Sequence, residues 1–76
     1  MKALVHVTLK PGVLDPQGRA IQHALDGLGF DGVRDVRVGR LIELDLDEGV
    51  SDETIASMCR QLLANSVIET FRIERP

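Results

Sequence analysis

The spacing of apolar residues in this 76-residue chain switches between a two-residue and a helical repeat in a definite order. Residues 2–9 alternate in character, which predicts a strand with one buried side. The next segment carries apolar residues at helical spacing, at Ile21, Ala24, Leu25 and Leu28. Later segments predict strands over Val33–Val38 and Leu41–Asp47, a helix between Ser51 and Asn65, and a strand over Val67–Glu74. The predicted order is therefore β-α-β-β-α-β.

A short internal repeat supports this order. The apolar residues of the second helix follow those of the first at a constant offset, at Ile55, Met58, Cys59 and Leu62. The pattern predicts one α+β domain over residues 1–76, built from two βαβ halves at about 2–39 and 40–75. Two such halves form a two-layer, ferredoxin-like sandwich, with a four-stranded antiparallel sheet and both helices on one face.

The composition argues against several classes of partner. The formal net charge is −3 with acids and bases interleaved, and the only aromatic residues are Phe30 and Phe71. A nucleic-acid surface needs a basic patch or stacking aromatics, so no nucleic acid is expected. No apolar run approaches the roughly 18 residues of a membrane span, so no membrane is expected either. The single cysteine fits a reducing, cytoplasmic location.

No set of residues predicts chemistry by this chain itself. Cys59 lies on the apolar side of the second helix, where packing is its expected role. His6 and His23 lack the closely spaced ligands of a zinc site. The acids between Asp45 and Asp52 do not complete a calcium loop. Catalytic, cofactor-binding and metal-binding residues are therefore predicted to be none.

The segment from Leu9 to Gly18 has more turn residues than a strand-to-helix junction needs. Pro11 and Gly12 suit the centre of a type II turn, and Asp15 suits the cap of the helix that follows. Gly18 lies inside that helix, where it costs about 0.5–1 kcal/mol relative to alanine. Close approach of another backbone or of a ligand could each explain this glycine, and the sequence leaves both open.

The same segment carries a family resemblance. The run LKPGVLDPQGRA, residues 9–20, resembles the signature of the small subunit of phosphoribosylformylglycinamidine synthase, in the three-part form of that enzyme. The runs VRVGRLIEL, residues 36–44, and LLANSVIE, residues 62–69, look like its second and third blocks. Ser66 stands where family members often carry proline. The resemblance covers nearly the whole chain in order.

The resemblance implies a non-catalytic bridging subunit. The complete enzyme converts formylglycinamide ribonucleotide to formylglycinamidine ribonucleotide with ATP and glutamine. A glutaminase subunit releases ammonia, a large ATP-dependent synthetase subunit uses it, and the small subunit assists the transfer between them. ATP, Mg²⁺ and glutamine would then be used by the partner subunits, with no cofactor on this chain. The family also implies that the chain forms homodimers or tetramers.

Residues in and near the first signature block are the predicted partner interface: Lys10, Pro11, Gly12, Val13, Leu14, Asp15, Gln17, Gly18, Arg19, Arg37 and Arg40. The alternative function is an amino-acid effector-binding regulatory domain of the same element order, which would use a glycine-bearing loop at this place. An acylphosphatase is less favoured, because the loop before the first helix contains no arginine.

Overall fold

The computed structural model describes all 76 residues, and its elements follow the predicted order with one strand missing. Strand β1 spans Lys2–Leu9, helix α1 Pro16–Gly27, strand β2 Arg40–Asp45 and helix α2 Asp52–Met58. A one-turn π-helix, Cys59–Leu63, continues α2, and strand β3 spans Glu69–Glu74. None of these helices has the length and apolar character needed to cross a membrane.

Strand β1 is the centre of a three-stranded antiparallel sheet with the order β2-β1-β3. Val5 lies opposite Ile42 of β2 on one side and Ile73 of β3 on the other. Because side chains alternate along a strand, one set of residues from β1 points into the core: Ala3, Val5 and Val7, each at most 1% exposed. The alternation seen in the sequence is confirmed in this strand.

Helix α2 and its π-helical extension cover the inner face of the sheet. Ser51 caps α2, since its hydroxyl accepts a hydrogen bond from the Thr54 backbone N–H at 3.2 Å. Ile55 and Cys59 are fully buried against the β1 side chains, and Ala64 completes this core. Partly buried residues from β2, β3, the π-helix and the adjoining loops pack around it: Ile42, Leu44, Leu46, Val50, Leu63, Phe71 and Ile73.

Helix α1 begins and ends as its sequence predicts but contributes nothing to this core. Asp15 is its N-cap and Pro16 its first residue, while Gly29, just beyond the last turn, has φ +90°. No residue of α1 belongs to the hydrophobic cluster. Leu28 and Phe30 are 73% and 58% exposed. The expectation that both helices cover one face of the sheet is therefore wrong for the single chain.

The predicted strand over Val33–Val38 is also absent. These residues belong to no strand, and they run back along α1, past Gln22 and Gly18. Backbone groups of this segment instead form hydrogen bonds with two side chains, one in α1 and one at its cap. The Gln22 amide donates to the carbonyls of Val33 and Arg34, and the Asp15 carboxylate accepts from the Val38 N–H. The sheet accordingly has three strands rather than four, although the α+β class is confirmed.

The molecule is consequently long and thin. It measures 49 × 25 × 14 Å and has a radius of gyration of 15.6 Å. A compact chain of this length has a radius of gyration of about 11 Å. Residues 10–39, which comprise the turn, α1 and the returning segment, extend away from the sheet, and we refer to them as the arm.

Candidate interaction site

The predicted interface residues gather where the arm leaves the sheet. We call this region the neck and define it as residues 10–19 together with residues 34–40. It contains every one of the predicted residues, and most of their polar groups turn out to bind backbone within the chain. Their first role is therefore to set how the arm joins the sheet.

Asp15 joins the start of α1 to the end of the returning segment. Its Oδ1 accepts from the Gly18 N–H at 2.8 Å, and its Oδ2 accepts from the Val38 N–H at 2.7 Å. These two hydrogen bonds, the one from Val38 foremost, lower the pKa of the Asp15 carboxyl from its ordinary value. The carboxylate thus acts as a cap and as a tie between two segments.

Gly18 is a site of close backbone approach, which resolves the two explanations left open by the sequence. It is the only buried residue of α1. A Cβ at this position would lie far inside van der Waals contact with the Val36 carbonyl oxygen. The glycine lets the returning segment run against the helix, so packing within the chain explains it.

Arg37 holds the turn that precedes α1. Its guanidinium donates to the Val13 carbonyl at 2.8 Å and to the Lys10 carbonyl at 3.2 Å. The turn itself has the Val13 N–H donating to the Lys10 carbonyl, with Gly12 at φ +86°, as a type II turn requires. Lys10 in turn donates its Nζ to the Ser66 carbonyl at 2.8 Å. The predicted turn is confirmed.

Arg40 pairs with a residue that the sequence did not single out. It donates to both carboxylate oxygens of Glu69, at 2.8 and 3.1 Å, and to the Leu63 carbonyl at 2.7 Å. The hydrogen bond from Arg40 and a second one from the Asn65 N–H lower the pKa of the Glu69 carboxyl. Glu69 lies at a strand start far from Arg40 in sequence, so no local pattern could reveal the pair.

The remaining predicted residues face solvent. Leu14 is 78% exposed, so it does not pack back onto the helix as an apolar residue before a cap often does. Pro11, Gly12, Gln17 and Arg19 are also exposed. The partner-facing role of these residues stays a prediction.

Two open clefts flank the returning segment at the neck. The larger, of about 460 Å³, lies beside the first turns of α1 and is lined by Arg19, Arg37 and two residues that sequence reasoning missed, Gln22 and Arg34. The smaller, of about 370 Å³, lies on the other side, between Gln17 and Arg40. Arg34 lies within the predicted strand over Val33–Val38, so no loop pattern in the sequence pointed to a cleft there.

Reactive side chains do not converge at the neck. Cys59 is buried beneath the sheet, and desolvation raises the pKa of its thiol. His6 lies on the outer face of the sheet, where its Nε2 donates to Glu74 at 2.7 Å. No three His, Cys, Asp or Glu side chains form a group that could hold a metal ion. The side chains of the neck therefore order the backbone and leave an exposed surface, and they do not place a nucleophile beside a base.

Comparison with known proteins decides the family. The sequence model of PurS, phosphoribosylformylglycinamidine (FGAM) synthase, matches residues 2–76. The chain belongs to the PurS family. The phosphoribosylformylglycinamidine synthase subunit PurS of Synechocystis is 51% identical over 73 residues, which are 92% of this chain and 73% of that protein.

Solved structures of PurS proteins agree with the fold. Bacillus subtilis PurS, 47% identical, superposes with a TM-score of 0.87 over 96% of this chain and 94% of its own. A PurLQS structure from Thermotoga maritima includes a chain that is 27% identical, with a TM-score of 0.81 over 96% of this chain and 93% of its own. Membership of the PurS family favours a role in FGAM synthase over the effector-binding alternative.

Proposed function

We propose that this chain is the bridging subunit of a three-part FGAM synthase in purine biosynthesis. The match of the PurS family across residues 2–76 carries this proposal. Its partners are a glutaminase subunit and an ATP-dependent synthetase subunit, as the PurLQS assembly of the Thermotoga relative suggests. Those partners use ATP, Mg²⁺ and glutamine in the cytoplasm, and this chain helps ammonia pass between them.

The physical task of such a subunit fits the neck and the arm. Ammonia is largely protonated in water at neutral pH, and ammonium is not a nucleophile, so transfer needs two active sites held together with water excluded. An elongated protein can contact two partners at once, and this chain measures 49 Å in its longest dimension. Lys10 joins the arm to the segment before β3, since its Nζ donates to the Ser66 carbonyl and its backbone N–H donates to the Ile68 carbonyl, which supports a constant spacing.

A second copy of the chain is part of this proposal, because α1 has an apolar side with nothing against it. Ile21, Leu28 and Phe30 are 38%, 73% and 58% exposed. Only seven of the 76 residues are buried, which is few for a chain whose length already makes folding marginal. Symmetric association of two arms would cover this apolar surface in a homodimer.

The same association accounts for the missing fourth strand. Residues 31–38 make no backbone–backbone hydrogen bond, although Val33, Val36 and Val38 give this segment the composition of a strand. Unpaired backbone of this composition is a ready partner for a strand of another chain. We infer that residues 33–38 pair with the second copy and complete a four-stranded, ferredoxin-like sheet across the dimer. Two dimers could then associate into a tetramer.

Reconstitution of the enzyme tests the bridging role. The synthetase and glutaminase of the same organism are assayed for FGAM formation with and without this chain, using either glutamine or ammonium chloride as the nitrogen source. We expect omission of the chain to abolish glutamine-dependent synthesis and to leave ammonia-dependent synthesis within about twofold. Equal glutamine-dependent rates with and without the chain would refute the proposal.

A variant of the neck adds a control for folding. Gly12 faces open space, so its replacement by glutamate puts a charged side chain on the surface at the cost of strain at φ +86°. Gly49 has the same geometry, φ +90° with nothing nearby, but lies at the far end of β2. If the neck faces a partner, Gly12→Glu lowers glutamine-dependent synthesis much more than Gly49→Glu does.

A further inference from the structure

We propose that the larger cleft at the neck binds a phosphate monoester. We call it the arginine cleft; it is lined by Arg19, Arg34 and Arg37, with Gln22 on its α1 side. Its volume of about 460 Å³ is within the range of small-molecule sites. This proposal concerns the isolated chain and does not depend on its assembly into an enzyme.

The charges in the cleft are unusual for this chain. The formal net charge is −3, yet three of its seven arginines line one cleft. Arg60 and Arg75 each form an ion pair with a carboxylate, but Arg19 and Arg34 form neither an ion pair nor a side-chain hydrogen bond. Two free guanidinium groups therefore face one space, with a third one fixed beside them on the Val13 carbonyl.

The two acids that also line the cleft are already engaged. Asp15 accepts from the Gly18 and Val38 N–H groups, and Asp35 accepts from the Val36 N–H at 3.0 Å. With these two carboxylates counted against the three guanidinium groups, the lining still carries a formal charge of +1. Since Asp15 also caps α1, the proposed site relies on the side chains of the arginines and not on the free N–H groups of a helix start.

Phosphate suits this arrangement better than a carboxylate does. Guanidinium groups bind phosphate oxygens through paired N–H donors, and a phosphate dianion offers acceptors and charge for two of them at once. A carboxylate can satisfy one such fork. Val13, Leu14 and Val36 supply an apolar part of the lining, against which the carbon skeleton of an ester can lie.

The cleft lies on the opposite side of α1 from the apolar side chains proposed to face the second copy, although residues 34–37 of its lining belong to the segment proposed to pair with that copy. At about 100° per residue, Arg19 and Leu28 are about 180° apart around the helix axis. The returning segment occupies the side between them, at Gly18 and Gln22. A dimer that covers Ile21 and Leu28 therefore leaves the α1 side of the cleft, at Arg19, uncovered.

Calorimetric titration of the full chain with ribose 5-phosphate tests the site. Ribose is the uncharged control, and ribonate, a sugar acid with a single carboxylate, is the carboxylate control. We expect saturable 1:1 binding of ribose 5-phosphate that weakens as salt is added, and no measurable binding of ribose. Binding of ribonate should be at least tenfold weaker.

Substitution of the free arginines locates the site. Arg19→Gln and Arg34→Gln should each weaken binding about tenfold, and the double variant more than either. Arg72, which is exposed on the outer face of the sheet and also without an ion pair, supplies the matched control Arg72→Gln. That variant should bind like the wild-type chain. Unchanged melting temperatures would show that all these variants are folded.

Three results would overturn the proposal. One is the absence of heat with ribose 5-phosphate, and another is equal loss of affinity in the Arg72 variant. The third combines two measurements: ribose 5-phosphate does not bind, and Arg19→Gln and Arg34→Gln reduce the amount of partner subunit recovered with the chain. That result would assign the cleft to an acidic side chain of a partner protein instead.

Discussion

At the scale of single residues, the neck is held by side chains that bind backbone rather than one another. Asp15, Arg37 and Arg40 each contact main-chain groups that are 20 or more positions away in sequence. Hydrogen bonds of charged groups contribute more to stability than neutral ones, and they fix geometry as well. Asp15 and Arg37 therefore hold the two ends of the arm together, and Arg40 holds the start of β2 to the π-helix and the start of β3.

Gly18 gives the sharpest stability test. Gly18→Ala places a methyl group against the Val36 carbonyl oxygen, and we expect the free energy of unfolding to fall by about 1–3 kcal/mol. Gly27→Ala is the control, because that glycine is helical with open space around it and should gain about 0.5–1 kcal/mol. Urea titrations at one protein concentration measure both. A Gly18→Ala protein as stable as wild type would contradict the close approach.

Acid should weaken the fold through the same ties. The pKa values of Asp15 and Glu69 are lowered by hydrogen bonds in the folded chain. Their stabilising effect is complete above the unfolded pKa values, about 4, and is lost as the pH falls through the folded ones. We expect urea midpoints to be level from pH 7 to about pH 5 and to drop below about pH 4.

Glu69→Gln isolates one of these contributions. It should lower the urea midpoint at pH 7. It should also reduce the fall of the urea midpoint below about pH 4, since glutamine does not titrate. The exposed Glu43, which has no ion-pair partner on the sheet, provides the control Glu43→Gln. Identical pH profiles for wild type and Glu69→Gln would show that this carboxylate is not linked to folding.

At the scale of elements, the two helices show that one sequence pattern can have two outcomes. Both have apolar residues at helical spacing, yet Ile55 of α2 is fully buried and Leu28 beyond α1 is mostly exposed. Amphipathic spacing indicates that a side will be covered, but it does not say by what. In α2 the sheet covers it, whereas in α1 the single chain leaves it open.

Self-association should therefore depend on the α1 side. Sedimentation equilibrium of the wild-type chain is expected to give twice the 8.4 kDa of one chain. Leu28→Asp should weaken the dimer at least tenfold, because it would bury a charge in the contact. Leu62 is 83% exposed in the π-helix, so Leu62→Asp is a control with similar exposure outside the arm. A monomeric wild-type chain, or equal effects of both variants, would exclude the arm contact.

At the scale of the whole molecule, the chain consists of a packed part and an unpacked part. The sheet, α2 and the π-helix contain five of the six buried apolar residues, and the sixth, Ala64, directly follows the π-helix, while the arm contains none of them. Regions with few buried contacts open at low free-energy cost. The arm of an isolated chain should therefore open without unfolding the sheet.

Hydrogen exchange can detect this difference. In the Leu28→Asp variant, the α1 amides should exchange at least tenfold faster than those of β1, which is hydrogen-bonded on both sides. In the wild-type dimer, protection of α1 and residues 33–38 should rise while that of β1 changes little. Equal protection of arm and sheet in the variant would show that the chain unfolds as one unit.

By itself, the sequence determined most of the local elements, although β2 ends at Asp45 rather than Asp47 and β3 begins at Glu69 rather than Val67. The alternation in β1, the Asp15 cap, the turn at Pro11 and Gly12 and the signature block could all be read from neighbouring residues, because each depends on local geometry. The signature was enough to indicate the PurS family. The division into two half-repeats stays a prediction.

Only the tertiary structure decided how the segments meet. Residues 33–38 have the composition of a strand, but pairing requires a neighbour, and in the single chain Asp15 and Gln22 take their polar groups instead. The Arg40–Glu69 pair and the arginine cleft join residues distant in sequence. The extra turn residues before α1 also have a tertiary role, since they direct the chain away from its own sheet. Local pattern specifies conformation, whereas contacts between distant segments are decided by the packing of the whole chain.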